Sequence, residues 1–357
     1  VLTAAAACAS AGHWQSRFDR PYVFASSQLK YGLYQDYLHR YMDRPLLMDT
    51  SLGDNAVVTC PSFHRIMDHA MMYEMDGIGA IIGTTGMIQR YDIAMQCARQ
   101  GHPDGFMFFP LFGGDAKTDA YKPRAIEIAK QSPVTARLNY RGRNLLRFGA
   151  YGGDSTPADD LRRMLAALRS DHGDFIYLIA ITRWRDAHKE FLANGEVSAN
   201  TDAVLREHIR TYLKVADGID MTYGVAWRRR DRTFDVEFYR HYVIPTLKSV
   251  LGEEPYRDKF LVLGAKIGYF QFMSGSTLDE DGTRTLRVSF EAAIDAKPDM
   301  IGLAEWDELN EHTTIEPTVQ NGFSTQRIIK YYMRRIKGLA PAPNAGDDTR
   351  LPNLIVS

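Results

Sequence analysis

Short apolar runs rich in β-branched and aromatic residues recur along the chain. Each is followed by a stretch whose apolar positions repeat at helical spacing. The runs are Pro45–Asp49, Ile78–Thr84, Phe106–Phe112, Asn144–Tyr151, Phe175–Thr182, Gly218–Gly224, Phe260–Ile267 and Met300–Glu305. They are nearly continuous in apolar residues rather than alternating, which is how parallel strands covered on both faces read. Amphipathic stretches lie between them at Ser62–Met75, Gln89–Arg99, Pro123–Lys130, Ala158–Arg169, Asn200–Val215, Val236–Val250 and Leu286–Ala296, and Ser324–Ile336 follows the last run. Eight strand–helix units in series predict an α/β fold, a single-domain (β/α)8 TIM barrel over residues 45–337. An open doubly wound sheet is the alternative. Its dinucleotide fingerprint is missing, because the glycines of Gly77–Gly83 are wrongly spaced and lie inside a strand.

Residues 1–44 are expected to pack on the barrel as a capping strand or helix, and residues 338–357 read as an irregular tail. The small, apolar stretch 1–11 resembles the end of a secretory signal, which makes a secreted or periplasmic location the expectation and leaves a cytoplasmic one open. Of the 357 residues 45% are hydrophobic and 24% charged, with a formal net charge of −1. That balance gives no global attraction to nucleic acid or to anionic membrane, and no apolar run is long enough to span a bilayer. The three cysteines, Cys8, Cys60 and Cys97, suggest neither a disulfide framework nor zinc, and read as buried or free thiols. No metal and no cofactor is expected, since neither a clustered ligand spacing nor a P-loop is present.

A barrel of this kind carries its active site at the C-terminal ends of the strands. The residues there are Asp49, Tyr151, Asp154, Arg183, Trp184, Tyr223, Trp227, Arg228, Lys266 and Tyr269, and after the last strand Glu305, Trp306, Asp307, Glu308, Glu311 and His312. Aromatic rings, carboxylates and amides together suit a carbohydrate, whose CH faces stack and whose hydroxyls need polar partners. Carboxylates crowded at the end of a buried strand repel one another and resist desolvation. Glycosidic cleavage needs that arrangement, one protonated acid beside one carboxylate.

The segment Leu303–Pro317, L-A-E-W-D-E-L-N-E-H-T-T-I-E-P, resembles the W-N-E-W-H-E-G-T-Q-I-E-P signature of the endo-α-1,2-mannosidase-like glycoside hydrolases (family 99) and their WbsX-like bacterial relatives. It is also similar to the W-N-D-Y-G-E-S-H-Y-I-G-P segment of the α-1,3-glucanases (family 71). In a gapless match Trp306 meets the shared tryptophan, Glu308 and Glu311 the two acidic positions, and Thr313, Ile315, Glu316 and Pro317 the closing residues. The resemblance implies a barrel glycosidase, endo-acting on an α-linked polysaccharide or glycan, with Glu308 as base and Glu311 as general acid/base if it follows the mannosidases. Inversion, with the roles open to exchange, is implied if it follows the glucanases. Asp307, Leu309 and His312 depart from the pattern and leave substrate identity open. Glu305 and Glu308 also stand three apart, so the spacing admits a second register.

Arg183, Arg185, Arg228, Arg229, Arg230 and Arg232 follow the fifth and sixth runs. Guanidinium forks match carboxylate and sulfate oxygens two at a time, so an anionic substrate, sulfated or uronic, belongs among the options beside plain surface solvation. The rival functions are a WbsX-like glycosyltransferase, for which no diphosphate cradle is visible, and a catalytically inactive carbohydrate-binding barrel.

Overall fold

The computed structural model describes residues 14–29, 60–101, 105–113, 120–151, 153–225, 227–271, 276–308, 311, 313–319 and 321–340. Its strands are β1 (Tyr22–Ser27), β2 (Gly77–Ile82), β3 (Met107–Gly113), β4 (Arg137–Tyr140), β5 (Arg143–Tyr151), β6 (Phe175–Ile179), β7 (Gly218–Asp220), β8 (Phe260–Lys266), β9 (Tyr269–Gln271), β10 (Ser276–Leu278) and β11 (Met300–Ala304). β1, β2, β3, β5, β6, β7, β8 and β11 pair in parallel, and β3 pairs with β5 to close the ring. This is the expected (β/α)8 barrel. β4 is an antiparallel hairpin partner of β5, joined through Arg141 and Gly142 at φ +52° and +75°, the left-handed pair a tight hairpin turn requires.

The first strand departs from expectation. The place between β11 and β2 belongs to Tyr22–Ser27, so residues assigned to a capping segment build the barrel itself. Pro45–Asp49 lies outside the described residues. Two buried aspartates fix β1 in its place. Asp76, ahead of β2, accepts from Val23 N and from Arg20 Nη1 and Nη2 at 2.8–2.9 Å. Asp299, ahead of β11, accepts from Arg17 N and Ser16 Oγ at 3.1 and 3.0 Å.

Strand residues alternate between two apolar regions, as period-two geometry demands. Phe108 and Phe112 face the helices, while Phe109 and Leu111 join Phe24, Ile176, Leu178 and Val262 in the second cluster. A buried ion pair sits among these rings. Arg147 bonds Asp220 at 2.9 Å and stacks its guanidinium 3.6 Å from the Phe109 ring centre. The interior is tight enough that a Cβ on Gly302 would come within 1.9 Å of Thr222 Oγ1.

The helices are α1 (Cys60–Met72), α2 (Thr85–Ala98), α3 (Lys122–Gln131), α4 (Ala158–His172), α5 (Arg185–Asn194), α6 (Ala199–Leu213), α7 (Val236–Phe238), which runs through a π turn into α8 (Ile244–Leu251), α9 (Arg284–Asp295) and α10 (Ser324–Ile336). Cys60 at the start of α1 and Cys97 in α2 form a disulfide with Cα atoms 5.0 Å apart. This corrects the reading of both as thiols. Contact between α1 and α2 brings together two cysteines whose separation of 37 residues carries no pairing signal.

Candidate active site

The C-terminal ends of β11, β8 and β1 converge on one acidic cluster. Glu305 is the first residue after β11, and the Ala304–Glu305 peptide bond is cis. The chain then folds back on itself. Glu305 N donates to Thr313 O at 2.8 Å and Ile315 N to Glu305 O at 2.9 Å, while Glu311 N and Thr313 N both donate to Glu308 O at 3.3 Å. This short return gathers Glu305, Glu308 and Glu311 on one small loop. Its start is tied to β1: Trp306 N donates to Ser26 O at 2.6 Å, and Asp307 accepts from Ser27 Oγ and Gln28 N, each at 2.9 Å. Asp307 therefore has a structural task in joining the two strand ends.

Burial is what makes the cluster unusual. Glu305, Asp307 and Glu308 are 7%, 1% and 3% exposed, and Lys266 is 6% exposed. Glu305 Oε2 has no hydrogen-bond partner among the described residues. Its carboxyl is pushed well above the ordinary range, first by burial and then by the negative charges of Glu308 and Asp307, with Lys266 opposing. Burial also lowers the Lys266 ammonium, against the pull of Glu305 and Glu311. The Tyr269 hydroxyl donates to Glu311 Oε1 at 3.4 Å. Its pKa is raised to about 12, first by burial and then by the charge of Glu311. Such a cluster can hold a proton on one carboxyl beside a neighbouring carboxylate, the state that acid–base chemistry requires.

Beside it opens a cleft of about 350 Å³ lined by Trp184, Arg185, Tyr223, Trp227 and Arg228, with Thr182 and His188. Arg228 Nη1 donates to Ser276 Oγ and Thr277 O at 3.0 and 2.7 Å, which holds it against the β9–β10 hairpin that carries Tyr269. Arg183 lines the neighbouring cavity between α5 and α6, about 470 Å³ in volume.

Several expected sugar contacts take other roles. Trp184 and Trp306 are each 1% exposed, and the Trp184 indole donates to Ile181 O at 2.8 Å. A ring buried on both faces offers none to a sugar. Trp227 packs edge-on against Trp184 and Phe238 and reaches the cleft only at its margin. Asp154 is buried too. It accepts from Thr182 N and Oγ1 at 2.7 and 2.6 Å and pairs with His208 at 3.0 Å, so it joins the ends of β5 and β6 to α6. Tyr151 ends β5 opposite Gly113, and the description does not extend to its side chain. Asp49 and His312 lie outside the described residues.

His188 and Thr182 border the cleft without having been singled out from the sequence. His188 sits on α5, which the hydropathy pattern did not predict. Its one clear signal is Gly195, which ends the helix at φ +77° with its N–H on Phe191 O. Among the described residues no group of three or more His, Cys, Asp or Glu is placed to hold a metal ion, and no helix is long and apolar enough to cross a membrane.

No protein-family model matches the sequence, and no curated protein matches it significantly. Solved structures do resemble it. One is the GH99 endo-alpha-mannosidase from Bacteroides thetaiotaomicron in complex with bis-tris-propane, with a TM-score of 0.62 at 12% identity, covering 89% of this chain and 98% of that one. A second structure of the GH99 endo-alpha-mannosidase from Bacteroides thetaiotaomicron gives 0.59 at 12% over the same shares. A glycoside hydrolase-like protein gives 0.54 at 10%, covering 90% and 95%. Over 89% of its length the chain therefore shares the barrel fold of the endo-alpha-mannosidase.

Proposed function

We propose that the protein is a glycoside hydrolase that cleaves an α-linked polysaccharide or glycan, as the endo-alpha-mannosidase of like fold does by name. The observation that carries this reading is the buried carboxylate cluster after β11, at the mouth of the barrel. Glu305 acts as general acid and gives its proton to the glycosidic oxygen as the bond to the anomeric carbon breaks. Glu308 acts as base, accepting a proton from the attacking water or from the sugar's own 2-hydroxyl. Glu308 belongs to both registers the sequence allows. Glu305 is preferred as its partner because its burial, its unbonded oxygen and its negative neighbours all favour the protonated form. Lys266 tempers that shift.

The pair Glu308 and Glu311 is the second reading. It is favoured by the position of Glu311, half-buried and oriented by Tyr269, where a leaving group has easier access. A disulfide such as Cys60–Cys97 persists in oxidising compartments, which supports action outside the cytoplasm.

Incubation with α-mannans, α-glucans and sulfated fucans, followed by reducing-end release and product sizing, tests the proposal. Internal cleavage of at least one polymer is expected. No release from any of them, with the protein folded, overturns it.

A further inference from the structure

We infer that the substrate chain is anionic and runs from the carboxylate cluster across the Arg228–Arg185 cleft into the cavity between α5 and α6. This rests on the glycosidase reading and adds the charge of its substrate.

Three observations carry it. The first is continuity. The two cavities share Arg185 and so adjoin at the start of α5. At its inner end Arg228 lies close enough to Tyr269 to act on the charge of its hydroxyl, and Tyr269 donates to Glu311. The second is charge. Among the described residues the inner cleft holds Arg185 and Arg228 and no carboxylate. The outer cavity holds Arg183 and Arg185 against one carboxylate, Asp186, whose side chain is 86% exposed and lies 4.0 Å from Lys189. The third is local geometry. Trp184 is locked inward by its indole hydrogen bond, and the arginines on either side of it are left exposed. Among the described residues neither Arg183 nor Arg185 forms an ion pair, and Arg228 bonds only a hydroxyl and a carbonyl. Guanidinium groups set along a groove without carboxylate partners suit sulfate or carboxylate groups repeated along a polymer.

Affinity electrophoresis of the wild-type protein through gels containing dextran sulfate, polygalacturonate or neutral dextran tests this without any need for bond cleavage. The two anionic probes separate sulfate from carboxylate recognition. Retention by at least one of them and not by dextran is expected, weakening between roughly 0.05 and 0.5 M salt as exposed charges are screened. Arg183→Gln/Arg185→Gln should weaken retention about tenfold, within reach of two lost charge-assisted contacts. Arg162→Gln/Arg163→Gln on α4 removes the same charge from arginines already paired with Asp159 and Asp160, and should leave retention within about twofold. Equal retention by dextran, an unaffected groove variant, or an equal loss in the α4 variant overturns the inference. Retention with no cleavage of any polymer would instead defeat the hydrolase reading and leave the groove standing.

Discussion

Lys266 and Glu305 meet across two neighbouring parallel strands. Lys266 ends β8 in register with Ala304, and Glu305 is the next residue of the chain. Each opposes the other's displacement from its ordinary protonation. The positive neighbour lowers a carboxyl that burial and three negative groups raise. Lys266→Met keeps the length of the side chain and removes the charge. The Glu305 carboxyl should then rise further, moving the alkaline limb of the kcat profile upward by roughly 1–3 pH units. A limb that stays in place, or moves down, means that Glu305 is not the acid.

The same carboxyl should cost the fold stability. Its folded-state pKa lies above that of the unfolded chain, so the folded state holds its proton more tightly. That contribution is fully present below about pH 4.3, the unfolded value, and is lost as pH rises through the folded value. Glu305→Gln keeps the shape and removes the titration. Above the folded value it should unfold at higher denaturant concentration than wild type, with a flatter dependence on pH. Equal or lower stability there would show that Glu305 is better solvated than its burial implies.

The disulfide between α1 and α2 closes 37 residues. Loop-closure entropy of that length is worth about 4 kcal/mol. Cys60→Ala/Cys97→Ala should lose stability of that order in guanidinium unfolding, and thiol titration of the denatured, unreduced wild type should find one reactive thiol per chain. Three reactive thiols would show that the bond does not form.

Arg147 and Asp220 are both almost fully buried inside the barrel. Arg147→Met leaves Asp220 charged without its partner, at a cost of roughly 3–5 kcal/mol. Arg147→Met/Asp220→Asn should recover a large part of that. Equilibrium unfolding of the single and double variants measures the difference, and a single variant as stable as wild type would show the pair to be hydrated.

Much of the barrel can be read in the hydropathy pattern, because strands covered on both faces are continuous apolar runs. β2 and the later barrel strands each overlap an expected run. β1 was misread for a physical reason. It ends in Ser26 and Ser27, whose polarity interrupts the apolar run expected of a barrel strand until Leu303 O and Asp307 are there to bond them. The leucines and methionine of 45–49 look more like a strand and lie outside the described residues. At the site, the crowding of acids after β11 was visible, but the spacing alone left two registers open. The tryptophans were ambiguous in a different way. Trp184 and Trp306 stand where stacking platforms would, and only tertiary packing shows them closed over. The arginines of the groove could be seen in sequence as a basic loop, but the adjoining of their cavities at the start of α5 could not, since α5 itself went unpredicted.

We propose that Glu305 and Glu308 carry the chemistry. The most direct test is kcat for Glu305→Gln, Glu308→Gln and Glu311→Gln on whichever polymer the wild type cleaves. Positioned acid–base groups contribute about 10²–10⁴-fold each. Glu305→Gln and Glu308→Gln should each lose at least about 100-fold, and Glu311→Gln less than about tenfold. Glu305→Gln within about tenfold of wild type, with Glu311→Gln inactive, would contradict the account and return the acid to Glu311.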